Sequence, residues 1–430
     1  MVIQSQDHRV DDTLPATPTR TRKLRIALFA EAVTLAHVAR PVALARALGP
    51  EGHEMMLACD PRYSQILGSG PWSTRDLHSI SGSQFNLALA RGAPVYDLKT
   101  LQSYVREDLA ILEAYKPDVV VGDFRLSLSV SARLARIPYL AIANAYWSPH
   151  YRGGFELPVL PMTKVLPIPA AKALFHLFRP MAFAMHCRPM NRLRTEHGLP
   201  PLGHDLRHVY TDADHLLMPD IPHLYPVDDR ASDCSYTGPL TWSPAIDLPD
   251  WWDEPAPVGS ATIYVTLGSS GPSTALLSVL QALDGLPVHV IASTAGAATP
   301  LPSNPKNVRL APYLPGDAAA HRSQLMICNG GSLSTQQAFA AGIPVLGICS
   351  NMDQFLNMAP IEQAGVGLRL RADRLSMASI RQATQTLLAS DQARAAARQL
   401  QASLLRPGFD TSKAFKAAVA AVSSRSRRDR

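Results

Sequence analysis

The stretch Cys328-Asn329-Gly330-Gly331-Ser332-Leu333-Ser334-Thr335-Gln336-Gln337-Ala338-Phe339, continued by Ala341-Gly342-Ile343-Pro344 and by Asn351-Met352-Asp353-Gln354-Phe355-Leu356-Asn357, decides how this chain is read. Just upstream, Leu325 to Ile327 is a short apolar run of the buried-strand type; Ser334 to Ala341 has a helical pattern, and Pro344 to Ile348 is a second strand-like run. A strand thus ends in a glycine pair, a helix starts at hydroxyl residues, and the next strand ends in a polar loop bearing a carboxylate and an amide. Glycines let a ligand approach the backbone, and free N–H groups at a helix N-terminus favour phosphate there. Asp353 and Gln354 supply acceptors and donors suited to sugar hydroxyls. Taken separately, the glycine pair also reads as a tight turn and Asp353 as the cap of a helix beginning near Phe355. In this order and spacing they point to a ligand site.

The same rhythm extends outward. Ala261 to Leu267 reads as a strand, Thr274 to Leu283 as a helix and Val288 to Ala292 as a strand. In the N-terminal half, Leu24 to Ala30 is a strand-like run, followed by Val38, Val42, Ala45 and Leu48 at helical spacing and by a second strand, Glu54 to Cys59. Pro117 to Gly122, Ser127 to Ala135 and Tyr139 to Ala143 repeat the pattern. Short connections of this kind favour parallel sheets covered by helices, and two α/β lobes in tandem imply a cleft between them. From Trp147 to about Pro226 the regularity weakens, and Pro158, Pro161, Pro167, Pro169, Pro180 and Pro189 are expected to break the stretch into short helices. Within it, Leu166 to Phe183 mixes Lys172, His176 and Arg179 with Leu, Phe and Met. It reads either as a helix packed on its own lobe or as one resting on a membrane surface.

Composition narrows the classes. Of 430 residues, 47% are apolar and 18% charged, which excludes disordered and collagen-like chains. The net charge of +6 is carried partly by Arg20, Arg22 and Lys23 and by Arg425, Arg427, Arg428 and Arg430 at the two ends, without an aromatic-interleaved basic surface, so no nucleic-acid partner is expected. Five cysteines without a CxxC pair suggest reduced, mostly buried thiols and neither a disulfide framework nor a zinc site. No apolar run approaches the roughly 18 residues needed to cross a bilayer, and the N-terminus lacks a secretory core. A cytoplasmic location is expected.

The segment from Asn329 to Asn357 resembles the donor-site signature of the nucleotide-sugar-dependent glycosyltransferase superfamily that includes macrolide, plant natural-product and UDP-glucuronosyl transferases. The resemblance implies a GT-B fold, two Rossmann-like doubly wound parallel-sheet domains facing a cleft. It divides the chain into a disordered leader (1–22), an acceptor-binding domain (23–235), a linker (236–260), a nucleotide-sugar domain (261–405), a helix crossing back (406–423) and a basic tail (424–430). By position, it implies that Gly331 and Ser334 contact the diphosphate, Asp353 and Gln354 the transferred sugar, and Gln337 the ribose. Gly268 and Ser269 match the phosphate-side loop, and Tyr313 and Leu314 the nucleobase segment. Asn329 stands where the family has a histidine, Leu333 where it has Gly or Asn, and Gln337 where it has Glu. Asn329 can donate to a phosphate but carries no charge, and Gln337 recognises a ribose diol less well than a carboxylate, which suggests a dTDP-sugar rather than a UDP-sugar.

His37 stands between the first strand and first helix, where a histidine faces the cleft and has a pKa suited to a general base. Asp123 ends the strand Val119-Val120-Val121-Gly122, and a carboxylate there would hold the imidazole in one tautomer. The resemblance assigns this pair as the base and its partner in an inverting transfer that needs no cofactor and no metal. Asp212 and Asp214 look like a metal-binding Asp-x-Asp but lie in a loop entering a strand and are read as structural, as is His215. Phe85, Trp147 and Tyr151 are candidates for contact with a small-molecule or lipidic acceptor. Two alternatives stand beside transfer: a nucleotide-sugar epimerase on the same scaffold, and a non-catalytic homologue that activates another enzyme.

Overall fold

The computed structural model describes residues 22–228, 231–268, 273–296, 307–405 and 409–428. The leader apart from Arg22, Ser269, and the last two residues of the basic tail lie outside them. Among the described residues the strands form two sheets. The first holds β1 (Arg25–Ala30), β2 (Glu54–Cys59), β3 (Ser73–Asp76), β4 (Val119–Asp123), β5 (Tyr139–Ile142), β6 (His215–Met218) and β7 (Cys234–Tyr236), in the order β3-β2-β1-β4-β5-β6-β7. The second holds β8 (Ala261–Thr266), β9 (Val288–Ser293), β10 (Val308–Ala311), β11 (Leu325–Cys328), β12 (Val345–Cys349) and β13 (Gly367–Arg371), in the order β10-β9-β8-β11-β12-β13. All pairings are parallel.

Parallel strands covered by helices on both faces must be apolar on both, and β1 obeys this. Ile26, Leu28 and Ala30 pack with helix α1 (Ala36–Leu48), while Ala27 and Phe29 face the opposite cluster. That second cluster runs on through the molecule to Tyr264, Met326 and Val345 of the other sheet, so the lobes share a continuous apolar contact. The four strands without a clean apolar run, β3, β7, β10 and β13, include all four sheet edges. β3, with all four residues exposed, carries no periodic signal at all.

The prolines between Trp147 and Pro226 do not fragment the chain as expected. Ile168–Glu196 is one helix, α2, containing Pro180 and Pro189. Each proline leaves a carbonyl one turn back without its N–H partner, a cost normally enough to break a helix. Here Pro180 is exposed and Pro189 half-exposed, so water can serve that carbonyl. Phe175, Phe183, Cys187, Met190 and Leu193 hold the other side in the core. Ser332–Ala341 forms α3, starting two residues earlier than its apolar pattern, and Met352–Gln363 forms α4, capped by Asn351 rather than Asp353. The last helix, α5, runs from Thr411 to Arg428, past the expected limit at 423, and packs back on α1, β6 and β7. No helix among the described residues is long and apolar enough to cross a membrane.

Candidate active site

In a doubly wound sheet, ligands bind beyond the carboxyl ends of the strands where the strand order reverses. The first sheet reverses between β1 and β4, and the second between β8 and β11. His37 follows β1 and Asp123 ends β4; Gly268 follows β8 and Asn329 follows β11. All four line one cavity of about 850 Å³ between the lobes. His37 Nδ1 lies 2.7 Å from Asp123 Oδ1. Arg40 Nη2 also lies 3.0 Å from Nδ1; in the tautomer that donates from Nδ1 to the carboxylate, which only accepts, Nε2 keeps its lone pair. The imidazole stacks on Phe124, with ring centroids 4.6 Å apart and planes 13° off parallel. Phe124 takes a left-handed backbone (φ 57°), a strained conformation for a bulky residue that places its ring beneath the histidine.

One turn along α1 from His37, Arg40 grips the same carboxylate: Nε donates to Asp123 Oδ2 (2.7 Å) and Nη2 to Oδ1 (2.8 Å). Burial works against the guanidinium's charge, but the Asp123 carboxylate more than offsets this and holds the Arg40 pKa above its ordinary value. Arg40 Nη1 donates to Asn144 Oδ1 (2.7 Å), and Asn144 Nδ2 donates to Asp220 (2.9 Å). Burial pushes the Asp220 carboxyl up to about 6, with the Ala145 N–H and the Asn144 amide pulling the other way. Asn144 Oδ1 also accepts from the Ser332 hydroxyl (3.3 Å) at the start of α3. A polar chain therefore links the dyad to the N-terminus of a helix in the other lobe.

On that second lobe, Gly268, Tyr313, Leu314, Asn329, Gly331, Ser334, Gln337, Asp353 and Gln354 all line the cavity. Asn329 Oδ1 accepts the Gly331 N–H (3.0 Å), leaving the first-turn N–H groups of α3 to face a ligand. Gln337 Nε2 donates to the Trp242 carbonyl (2.8 Å), and the carboxamide lies where a Cβ on Gly316 would approach it to 2.6 Å, so a side chain at 316 would displace the Gln337 amide. Asp353, in the first turn of α4, accepts at Oδ1 from Trp147 Nε1 across the cleft (2.8 Å). Gln354 is turned inward. Its Oε1 accepts from the Ser350 N–H (2.7 Å), while Nε2 is buried without a partner among the described residues.

Residues 275–408 match the model of the erythromycin biosynthesis protein CIII-like C-terminal domain. A PGL/p-HBAD biosynthesis glycosyltransferase of Mycobacterium tuberculosis is 48% identical over 379 residues, covering 88% of each chain. A PGL/p-HBAD biosynthesis rhamnosyltransferase of Mycobacterium bovis is 47% identical over 395 residues, 92% of this chain and 87% of its own. The chain belongs to this family of glycosyltransferases. Its fold is GT-B, shared with a spinosyn rhamnosyltransferase solved with thymidine diphosphate, at a TM-score of 0.63 and 19% identity over 88% of this chain and 96% of that one. A further relative, named an inactive PGL/p-HBAD biosynthesis glycosyltransferase of Mycobacterium bovis, is 47% identical over 262 residues, 61% of this chain and 71% of its own. Kinship across the family therefore includes a chain named as inactive.

On the first lobe of this glycosyltransferase, Phe85 and Trp147 line the cavity but Tyr151 does not. The turn closed by the Tyr151 N–H on the Ser148 carbonyl (3.1 Å) carries Tyr151 away to pair with Val227, and burial pushes its phenol up to about 12. Asn357, at the end of the segment that begins with the glycine pair, is also withdrawn. It donates to the Gly330 carbonyl (2.8 Å) and accepts from the Tyr225 hydroxyl (2.8 Å), tying the glycine pair to the first lobe. Asp212 pairs with Arg133 (2.9 Å) and Arg194 (2.6 Å), and Asp214 accepts the Tyr139 N–H (2.9 Å), so both are used in holding the fold. Sequence reasoning missed Arg40, Asn144 and Asp220. Arg40 had a signal, since a residue three after His37 on a helix shares its face; the other two had none.

Proposed function

We propose that this glycosyltransferase inverts configuration, moving a sugar from a nucleoside-diphosphate sugar to a hydroxyl of a small-molecule or lipidic acceptor, with His37 as general base. The observation that carries this is the His37–Asp123 pair, standing across the cavity from the N-terminus of α3. The acceptor proton passes to His37 Nε2 as the acceptor oxygen bonds to the anomeric carbon, and Asp123 stabilises the imidazolium that forms. The bond from that carbon to the diphosphate breaks on the opposite face, and the diphosphate leaves with the electron pair. Its charge meets the N–H groups of α3 with Ser334 and Asn329, a stabilisation that asks for no metal. Arg40 holds the Asp123 carboxylate in place beside His37. Trp147 orients Asp353, whose carboxylate is an acceptor for a hydroxyl of the transferred sugar.

For the donor, a dTDP-sugar is favoured. Gln337 has its amide nitrogen committed to Trp242 and has no carboxylate to bridge a ribose diol. The rhamnosyltransferase among the close relatives and the structural relative solved with thymidine diphosphate agree with this reading. Mass spectrometry of the full chain with panels of dTDP- and UDP-sugars and mixed aglycones, comparing wild type with His37→Ala, tests both parts. Product formation should fall by about 10²–10⁴-fold in the variant. Undiminished product would remove His37 from the mechanism, and equal or tighter binding of UDP than dTDP in competition would reject the thymidine donor.

A further inference from the structure

Helix α2 turns one face away from the core. Leu174, Leu177, Phe178, Met181 and Met185 recur at three- and four-residue spacing and so share that face. Leu177 is 69% exposed, Met181 60% and Phe178 51%, and Val165 just ahead of the helix is 81% exposed. Bare apolar strips of this length on a folded protein mark an interaction surface.

Charge says what covers it. Between Glu156 and Glu196 the chain carries no carboxylate side chain, while Lys164, Lys172 and Arg188 are exposed. Arg188 follows Met185 by three residues and continues the apolar face, and Lys164 stands at the helix's other end. A second copy laid on this face would bring cations against cations. An anionic surface is the complementary partner. The strip is also continuous with the cavity: Leu174 and Phe178 belong to both, and behind them Phe175 and Phe183 line the cavity wall.

We propose that this face of α2 docks the protein on an anionic lipid bilayer. Its apolar side chains enter the boundary between headgroups and acyl chains, and Lys164 and Arg188 meet lipid phosphates. The cavity mouth then opens toward the membrane. Delivery of an apolar acceptor by this route rests on the proposed function; docking itself does not.

Sedimentation of the full chain with sucrose-loaded vesicles, without any nucleotide sugar, tests the docking. Binding is expected to vesicles of phosphatidylcholine with about a third phosphatidylglycerol, to weaken as salt rises from about 0.1 M to about 0.5 M, and to be slight on phosphatidylcholine alone. The double variant Leu177→Ser with Met181→Ser, and separately Arg188→Glu, should each lower binding by about tenfold while leaving the melting temperature in place. Wild-type protein that stays in the supernatant, or variants that sediment like wild type, would overturn the proposal. So would a dimer on size exclusion that the double variant dissolves, since the strip would then belong to a second copy. No arm reads sugar transfer, so failure here and failure of the transferase mechanism are separate results.

Discussion

Asp123 is fully buried, yet it accepts two hydrogen bonds from Arg40 and one from His37. A buried carboxylate survives as an anion only when paired and hydrogen-bonded, and the planar fork of Arg40 does both. One side chain further along the network, Asp220 has no cation in direct contact and stands close to its titration point. Its carboxyl is raised to about 6 in the folded protein against about 4 unfolded. A raised carboxyl binds its proton more tightly when folded, so its contribution is fully present below the unfolded value and is lost as pH rises through about 6. Asp220→Asn, which imitates the protonated form, should therefore stabilise the protein more, or destabilise it less, at pH 7.5 than at pH 5. The difference should be on the order of 1 kcal/mol in denaturant titrations; a variant whose effect is the same at both pH values would show that Asp220 is not perturbed. At this scale His37 and Asp123 were legible because strand ends in an α/β sheet face the cleft. Their polar supports were not, because Asn144 and Asp220 look like any other loop residues.

At the scale of elements, the irregular stretch after Trp147 is held in place from the other lobe. Arg371, at the end of β13, donates to the carbonyls of Leu157 (2.9 Å) and Pro158 (3.0 Å), and Arg374 donates to those of Thr163 (3.0 Å) and Leu166 (2.8 Å). Hydrogen bonds from a charged donor are worth about 1.5–3 kcal/mol each. Arg371→Ala should therefore speed amide exchange in residues 157–166 by about tenfold or more while leaving β4 and β5 protected, as hydrogen exchange followed by mass spectrometry would show. Unchanged exchange there would mean that the wall stands without these bonds. Strands with apolar runs were readable from the sequence because burial on both faces demands them. The edge strand β3, Ser73-Thr74-Arg75-Asp76, was not, since it pairs through its backbone and asks nothing of its side chains. α2 was misread because proline's penalty is local, whereas the burial that outweighs it comes from residues spread over the first lobe.

For the whole molecule, α5 returns from the second lobe to the first. Phe415, fully buried, joins Ala418 and Val422 in the cluster built around Ile26, Leu28 and α1. Truncating a buried aromatic costs about 3–5 kcal/mol. Phe415→Ala should lower the unfolding midpoint and loosen α1, β6 and β7 by exchange, with β8 to β12 retaining their protection; equal loosening of both sheets would mean that the lobes unfold as one unit. What the sequence by itself determined is the alternation of strands and helices, the two lobes, and the glycine-led strand–helix segment that lines the cavity, because each is encoded by neighbours along the chain. Only the tertiary structure decided which polar groups meet: Arg40 with Asp123, 83 positions apart, Asn144 with Asp220, 76 apart, and Trp147 with Asp353, 206 apart. Those contacts depend on how the strands order themselves in a sheet and how two sheets face each other. Local periodicity carries no record of either.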